Sequence, residues 1–219
     1  MAISSIVLDI EGTVCPISFV KDTLFPYFLD KLESLPQSSN SNIRELLAKF
    51  GKEDVVAHIK ALVAQDVKDP ILKDLQGYVW EEGYRTGEIK APVYADAIKF
   101  IKETKKTVYI YSSGSVKAQK LLFQYVDDGE GGVIDLCPDI AGNFDINTSG
   151  RKSETTSYKR IAESINENPG HVLFLSDSIL ELRAAAAAGF QCKLVVRPGN
   201  PVQEQTVRFE EVLNFAGLH

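Results

Sequence analysis

The stretch that decides the fold is Ile3-Ser-Ser-Ile-Val-Leu-Asp-Ile-Glu-Gly-Thr13. Residues 3–10 are mostly apolar and Gly12 follows them closely, which predicts a buried strand that ends in a tight loop. Similar apolar runs return at residues 107–111, 172–175 and 192–196. A helical pattern follows each of the first two, over residues 116–125 and 179–188. Alternating strands and helices predict an α/β fold with a parallel sheet whose faces are covered.

A different pattern separates the first strand from the second. Helical patterns occur at residues 19–35, 43–50, 54–64 and 71–84, and no strand pattern lies among them. Such a segment is longer than an ordinary crossover between two strands of one sheet. We therefore predict a helical cap domain over residues 18–103, inserted into an α/β core that comprises residues 1–17 and 104–219.

Composition argues against several classes of partner. The chain has 219 residues, of which 44% are hydrophobic and 25% are charged, as in ordinary folded domains. It carries 24 basic and 30 acidic residues, and this net charge of −6 disfavours nucleic acid or an anionic membrane as a partner. No run of about 18 apolar residues occurs, so we expect no membrane span. A small phosphorylated molecule remains compatible with this charge, because one lysine or metal ion can reverse the field inside a pocket.

The cysteines and the N-terminus indicate a reducing compartment. Cys15, Cys137 and Cys192 are odd in number and widely separated, so no disulfide framework or CxxC metal motif is predicted. The N-terminus lacks a basic region, and Asp9 interrupts its apolar run, which is not typical of a signal peptide. We therefore expect a cytosolic protein.

Polar residues follow each of the first three predicted strands. Ligands of parallel α/β sheets bind at the carboxyl ends of the strands, so these positions are the candidates for chemistry. The set also includes a cation in the loop before the predicted helix at residues 154–165. The candidates are Asp9, Glu11, Thr13, Ser112, Ser113, Gly114, Lys152, Ser176, Asp177, Ser178 and Glu181.

These residue types suit phosphoryl transfer through a hard metal ion. A carboxylate such as Asp9 can attack a phosphate, since an aspartyl phosphate divides one displacement into two. Mg²⁺ would relieve the repulsion between two anions, and Asp9 with Asp177 would supply the carboxylates that it prefers. Lys152 would neutralise charge on the transferring oxygens, while Ser112 and the backbone near Ser113 would donate to the phosphate. Each feature alone has a structural explanation, but the joint pattern favours a catalytic site.

The motifs resemble those of the haloacid dehalogenase superfamily. Its phosphatases usually begin with DxDxT, and Asp9-Ile-Glu-Gly-Thr13 has this form, with Glu11 in place of the second Asp. The later motifs of the superfamily are matched in order by Ser113, by Lys152, and by Asp177 with Glu181.

Within that superfamily, the chain resembles the enolase-phosphatase E1 family of methionine salvage. Glu11 and the residues after the first motif carry this resemblance, and further stretches extend it from Ile6 to about Asn200. These stretches are Pro16-Ile17, Phe19-Val-Lys-Asp22, Trp80-Glu-Glu-Gly-Tyr84 with Gly87, Tyr109-Ile-Tyr-Ser-Ser-Gly-Ser-Val116, Ala118-Gln-Lys-Leu-Leu122 and Val195-Val-Arg-Pro-Gly-Asn200.

The resemblance implies a Rossmann-like parallel sheet with a helical cap, and one Mg²⁺ per subunit. It implies that Asp9 is nucleophile and metal ligand, that Glu11 binds Mg²⁺ through its backbone carbonyl, and that Asp177 completes the metal site. Ser112, Ser113 and Lys152 would contact substrate, with Lys152 and Glu11 also catalytic. We hypothesise that Glu11 is the acid/base of the phosphatase step and moves the proton during enolisation.

The implied reaction converts 2,3-diketo-5-methylthiopentyl-1-phosphate to its enol phosphate, and then to 1,2-dihydroxy-3-keto-5-methylthiopentene and phosphate. The family also implies a monomer of the cytoplasm and, in eukaryotes, the nucleus. Three alternatives stay open from the residues: a capped phosphatase for another small ester, a non-catalytic binding protein on this scaffold, and a hydrolytic dehalogenase. Activity measured on a panel of phosphate esters would distinguish the first alternative from the family's own reaction. Intact Asp9, Lys152 and Asp177 argue against the second, and the acidic metal pair argues against the third.

Overall fold

The computed structural model describes residues 2–65, 67, 69–203 and 208–218. The chain forms two compact units, one made of residues 1–19 and 90–219 and the other of residues 20–89. The predicted helical segment extends to residue 103, but residues 90–103 belong to the larger unit. They do so because the N–H of Ala91 donates to Tyr125 O at 2.8 Å and that of Tyr94 donates to Val14 O at 2.9 Å.

The larger unit is built on a six-stranded sheet with the order β5-β2-β1-β6-β7-β8, in which every neighbouring pair is parallel. A two-stranded antiparallel hairpin, β3 with β4, lies outside it. The strands are β1 Ser5–Leu8, β2 Thr107–Tyr111, β3 Val126–Asp127, β4 Val133–Ile134, β5 Gly142–Phe144, β6 Val172–Ser176, β7 Gln191–Val195 and β8 Glu210–Val212. The predicted parallel α/β sheet is confirmed.

The first strand is central to the sheet. Val7 of β1 pairs with Tyr109 of β2 on one side and with Phe174 of β6 on the other. All four residues of β1 are buried, as expected for a strand covered on both faces. The residues that directly follow β1, β2 and β6 therefore lie side by side at one edge of the sheet.

The described residues also form eight α-helices. They are α1 Phe25–Lys31, α2 Ser41–Lys49, α3 Val55–Ala64, α4 Pro70–Thr86, α5 Ala95–Glu103, α6 Val116–Gln124, α7 Thr155–Ser164 and α8 Ile179–Ala187. Short turns of π-helix at Val20–Leu24 and of 3₁₀-helix at Leu32–Gln37, Cys137–Asp139 and Pro169–His171 accompany them. None of the helices described is long and apolar enough to span a membrane.

An aromatic cluster fills the core of the larger unit beneath the carboxyl edge of the sheet. The ring of Tyr158, on α7, packs edge to face against Tyr111, Phe174 and Phe190, with centroid distances of 5.5, 5.2 and 5.7 Å. Such pairs stabilise a core beyond the apolar area that they bury. The cluster gives the loops above it a rigid base.

The smaller unit has its own apolar core, which helices α1 to α4 supply. Asp69 caps α4 by accepting from the N–H of Leu72 at 2.8 Å, and Pro70 occupies the first turn, where no N–H is needed. Gly87 ends the helix with φ of 78°, a left-handed conformation that glycine adopts without cost. The helical character predicted for this segment is confirmed.

Some elements differ from their predicted form. Residues 19–35 do not form one helix, because Pro26 has no N–H for the helical ladder, and α1 begins at Phe25 after the π-helical turn. Helix α5 and strands β3, β4, β5 and β8 lie outside the predicted elements. Ser115 caps α6, since its Oγ accepts from the N–H of Ala118.

Candidate active site

Asp9 is the buried carboxylate at the end of β1, with 5% of its surface exposed. Its Oδ1 accepts a hydrogen bond from the N–H of Ile10 at 2.7 Å and lies 2.5 Å from Nζ of Lys152. Its Oδ2 lies 3.3 Å from the hydroxyl oxygen of Ser176 at the end of β6. These contacts orient the carboxylate at the edge of the sheet.

The ammonium group of Lys152 bridges two carboxylates. Its Nζ lies 2.5 Å from Asp9 and 2.6 Å from Oε2 of Glu181, which also accepts from Ser176 Oγ at 2.8 Å. Burial lowers the pKa of Lys152, but the negative charges of Asp9 and Glu181 outweigh burial, so the net shift is upward. Lys152 therefore brings a fixed positive charge to the carboxyl end of β1.

The loop that carries Lys152 rests on the aromatic cluster. The hydroxyl of Tyr158 donates to the backbone oxygen of Lys152 at 2.7 Å, and that of Tyr111 donates to Gly150 O at 2.8 Å. The side chain of Ser157 donates to Arg151 O at 2.7 Å. Because these buried hydroxyls hold the backbone, the lysine stands in one defined position beside Asp9.

Asp177 supplies a second carboxylate next to Asp9. Its N–H donates to Thr13 Oγ1 at 3.1 Å, which ties the loop after β6 to the loop after β1. Burial, followed by the negative charges of Asp9 and Glu181, raises the pKa of Asp177 to about 7. Gly12 has φ of +71°, and a Cβ there would lie 2.3 Å from Oδ2 of Asp177. Glycine is therefore required where the two loops meet.

Glu11 lies in the loop after β1 and is exposed as a whole residue, but neighbouring groups crowd its carboxyl. The loss of water around its carboxyl raises the pKa of Glu11, the negative charge of Asp9 raises it further, and Lys152 opposes both. A carboxyl with a raised pKa holds a proton closer to neutral pH than an ordinary glutamate does. This property suits a group that must give and take protons.

Ser112 and Ser113 lie with Lys152 and Glu181 around a cavity of about 260 Å³. Ser112 is buried and its Oγ accepts from the N–H of Gly114 at 3.2 Å, whereas Ser113 is exposed. The six candidates that were given a catalytic, metal-binding or substrate-binding role thus lie in the loops at the carboxyl ends of β1, β2 and β6 or in the loop that carries Lys152. They are Asp9, Glu11, Ser112, Ser113, Lys152 and Asp177. Lys152 touches Asp9 directly and joins it to the cavity.

Two residues that hold the loop after β1 lie outside the predicted site. The side chain of Asn200 donates to Gly12 O at 2.9 Å, and the buried guanidinium of Arg197 donates from Nε to Thr13 O at 3.0 Å. Arg197 also pairs with Asp96 at 2.9 Å. The only sequence signal for them is the stretch at residues 195–200, which carries a family resemblance and no chemical argument.

The donor set suits a hard cation that binds oxygen, such as magnesium. Within the described ranges, no group of three or more His, Cys, Asp and Glu side chains is arranged to hold a metal ion. Asp9 and Asp177 offer oxygen atoms only, and Mg²⁺ in proteins takes one or two carboxylates and completes its coordination with water and substrate. The ammonium of Lys152 offsets only part of the negative charge of Asp9, Asp177 and Glu181, so a further cation would relieve their mutual repulsion.

The arrangement can carry out transfer of a phosphoryl group. It combines a buried, oriented carboxylate with a lysine that would offset the charge of a bound phosphate. Serine hydroxyls and the ammonium of Lys152 line the adjacent cavity, where a small ester could be held.

Comparisons with known proteins identify related chains. The model of the haloacid dehalogenase-like hydrolases matches residues 3–189. The enolase-phosphatase E1 of Lachancea thermotolerans is 56% identical over 218 residues, which is 100% of both chains.

Solved structures agree with this relationship. The crystal structure of the UTR4 protein of Saccharomyces cerevisiae superposes with a TM-score of 0.92 at 54% identity, covering 99% of this chain and 100% of that one. The HAD-hydrolase YfnB of Bacillus subtilis, solved bound to magnesium, has a TM-score of 0.65 at 16% identity, with coverage of 100% and 97%. The second likeness shows the fold alone.

Proposed function

Since the chain belongs to the enolase-phosphatase E1 family of haloacid dehalogenase-like hydrolases, we propose that it converts 2,3-diketo-5-methylthiopentyl-1-phosphate to 1,2-dihydroxy-3-keto-5-methylthiopentene and phosphate. This is an enolase-phosphatase reaction of methionine salvage. The contact that carries the proposal is the 2.5 Å pairing of the buried Asp9 carboxylate with Lys152. We further propose, from the family, a monomer that works in the cytoplasm and nucleus.

Asp9 is the nucleophile of the phosphatase step. One oxygen of its carboxylate attacks phosphorus, the bond from phosphorus to the substrate oxygen breaks, and an aspartyl phosphate forms. Water then attacks that intermediate and returns free Asp9 and phosphate. The hydrogen bond to the Ile10 N–H and the contact with Lys152 support this role, because they hold the carboxylate in one orientation.

Lys152, Ser112 and Ser113 bind the phosphate. Lys152 offsets the charge of nucleophile and phosphate and binds the transferring oxygens, while the two serines donate hydrogen bonds from the end of β2. Their shared position around one cavity supports this assignment. Glu181 keeps the lysine in place through its 2.6 Å contact with Nζ.

One Mg²⁺ would be held by the carboxylates of Asp9 and Asp177 and by the backbone carbonyl of Glu11. When bound, it would supply the positive charge that lets an anionic nucleophile approach an anionic phosphate. The raised pKa of Asp177 supports this placement, since its surroundings in the absence of a cation disfavour its ionised form.

Glu11 acts as the acid and base of the phosphatase step. Its protonated carboxyl gives a proton to the leaving oxygen of the substrate, and the resulting carboxylate removes a proton from the attacking water. Glu11 also moves the proton in the enolisation that precedes dephosphorylation. Its raised pKa and its place two residues after Asp9 support both assignments.

The test is to incubate the purified protein with the diketone phosphate, with excess chelator and then with added Mg²⁺. Release of phosphate and absorbance of the enediol are followed together. We expect both products only with Mg²⁺, and a large preference for the diketone phosphate over phosphoglycolate and sugar phosphates. Phosphate release at the full rate in excess chelator would contradict the metal-dependent mechanism, and equal rates on all esters would contradict the proposed substrate.

A further inference from the structure

The cavity beside Lys152 has two large apolar side chains on its border. Ile146 and Leu180 line it together with Ser112, Ser113 and Lys152. They are 45% and 62% exposed, respectively. The described residues include only four other exposed large hydrophobic side chains, Val67, Val133, Val202 and Leu213, and none of these borders this cavity. An apolar border on a site built for phosphate needs its own explanation.

Packing of the core does not explain Leu180. Its neighbours along α8, Ile179 and Leu182, are buried in the core, and Glu181 turns toward Lys152. Successive residues of a helix point about 100° apart, so Leu180 lies on a face that the core does not use. A polar residue would be equally compatible with the fold at this position.

Ile146 is held at the cavity by a rigid turn. The buried carboxylate of Asp145 accepts from the N–H of Asn147 at 2.9 Å and from the N–H of Thr148 at 2.8 Å. Its other oxygen accepts from the N–H of Val116, at the start of α6, at 3.1 Å. The exposed Ile146 side chain therefore has a fixed backbone beneath it.

We propose that Ile146 and Leu180 form the subsite for the apolar, alkylthio end of the substrate and set the preference for esters that carry it. This inference rests on the proposed function, which gives the substrate a phosphate at one end and a methylthio group at the other. The phosphate end of the substrate accepts hydrogen bonds from the serines and from Lys152. The aliphatic side chains of Ile146 and Leu180 have no donor to offer it. Carbon and sulfur at the far end gain free energy by leaving water for Ile146 and Leu180.

The expected effect follows from the apolar area involved. Removing one methylene group from water changes a binding constant by about fourfold. Leu180→Ala removes three carbon atoms from the side chain. Because Leu180 is exposed, a ligand that packs against it is only partly removed from water. We therefore expect Leu180→Ala to reduce the preference for the methylthio ester by about tenfold, and the double variant with Ile146→Ala to reduce it further.

The experiment compares two substrates, 2,3-diketo-5-methylthiopentyl-1-phosphate and the diketopentyl phosphate that lacks the methylthio group. The ratio of their kcat/KM values is measured with Mg²⁺ for the wild type, Leu180→Ala, Ile146→Ala and Leu180→Met. We expect the ratio to fall for the alanine variants and to persist for Leu180→Met, which keeps an apolar side chain of similar volume. Leu213→Ala and Val133→Ala are matched controls, because these residues are similarly exposed and lie away from the cavity.

Unequal effects on the two substrates are decisive. A ratio that stays within twofold of wild type in both alanine variants would overturn the inference, as would equal losses on both substrates, which indicate a role in shaping the phosphate site. A wild type that turns over neither diketone phosphate would instead refute the proposed function. Thermal melting of each variant checks that its fold is intact.

Discussion

Replacing Asp177 by Asn should make the metal-free protein more stable while it destroys the metal site. Burial and the nearby charges of Asp9 and Glu181 raise the pKa of Asp177 to about 7, from an ordinary value of 3.8. The folded state therefore disfavours the ionised carboxylate, and the unfolded state does not. Asn keeps the size of the side chain and the backbone contacts with Thr13 and Gln203, but removes the charge.

The sign of the effect follows from the direction of the pKa shift. A carboxyl with a raised pKa in the folded state destabilises that state as the pH rises from its unfolded pKa to its folded pKa. For Asp177 this window runs from about pH 4 to about pH 7, and the cost is complete above it. A difference of one in pKa between the folded and unfolded states corresponds to about 1.4 kcal/mol of folding free energy. The ionised carboxylate of Asp177 therefore destabilises the folded state by at most roughly 4 kcal/mol. Because the side chain is only partly buried, solvent screening reduces the expected gain to about 2 kcal/mol.

Urea and thermal unfolding at pH 8 in excess chelator measure the gain. For a chain of this length, about 2 kcal/mol raises the melting temperature by roughly 4–8 °C. The difference between Asp177→Asn and wild type should shrink as the pH falls toward 4. Added Mg²⁺ should stabilise the wild type and leave the variant unchanged. Asp74→Asn, at an exposed position of the smaller unit, controls for removal of a negative charge.

Two results would refute this reasoning. If Asp177→Asn is less stable than wild type at pH 8 without metal, the carboxylate makes favourable contacts that outweigh its desolvation. If the difference in stability is the same at pH 8 and pH 4.5, the titration of Asp177 does not contribute to it. Either result would also remove the support that the raised pKa gives to the metal site.

Further substitutions and labelling test other parts of the site. Asp9→Asn should lower phosphate release by at least three orders of magnitude, and turnover within tenfold of wild type would contradict its role as nucleophile. Glu11→Gln should keep Mg²⁺ affinity by calorimetry but slow dephosphorylation about a hundredfold; deuterium exchange at the reacting carbon at the wild-type rate would place the enolisation base elsewhere. Asn200→Ala, which removes a donor to the loop after β1, should weaken Mg²⁺ binding about tenfold, and an unchanged Kd would show that the loop holds its shape without it. Burial raises the pKa of Cys137 to about 11 and that of Cys192 to about 12, so iodoacetamide should label both slowly at pH 7.5 and rapidly after denaturation.

Local sequence patterns are sufficient to predict the strands that carry the site. The apolar runs at residues 107–111 and 172–175 lie within β2 and β6, and Gly189 follows α8 with φ of 97°, as its position after an alanine-rich helix predicts. These features depend on interactions within one strand or helix. The spacing of hydrophobic residues and the glycines at helix ends reflect such local interactions, so they can be read from the sequence.

Local sequence patterns do not predict the short strands at the edges of the sheet. Strand β5 contains Gly142 and Asn143, which have low strand propensity, and it exists because Tyr109 and Tyr111 of β2 pair with it. Strand β8 begins with two exposed glutamates and is defined by its pairing with β7. Such segments become strands only when a neighbouring strand offers its hydrogen bonds.

The sequence alone is sufficient to predict where the candidate site lies in the fold. Strand-end residues are adjacent in any parallel sheet, so the order of strands and loops along the chain is enough to group Asp9, Ser112 and Asp177. Tertiary structure alone decides the contacts within that group. Lys152 bridges Asp9 and Glu181 because a distant loop rests on the core hydroxyls of Tyr158 and Tyr111. Asn200 and Arg197 reach the loop after β1 from a segment that lies far away in sequence. The spacing of hydrophobic residues along the chain does not predict such contacts, because they depend on how separate elements pack against one another.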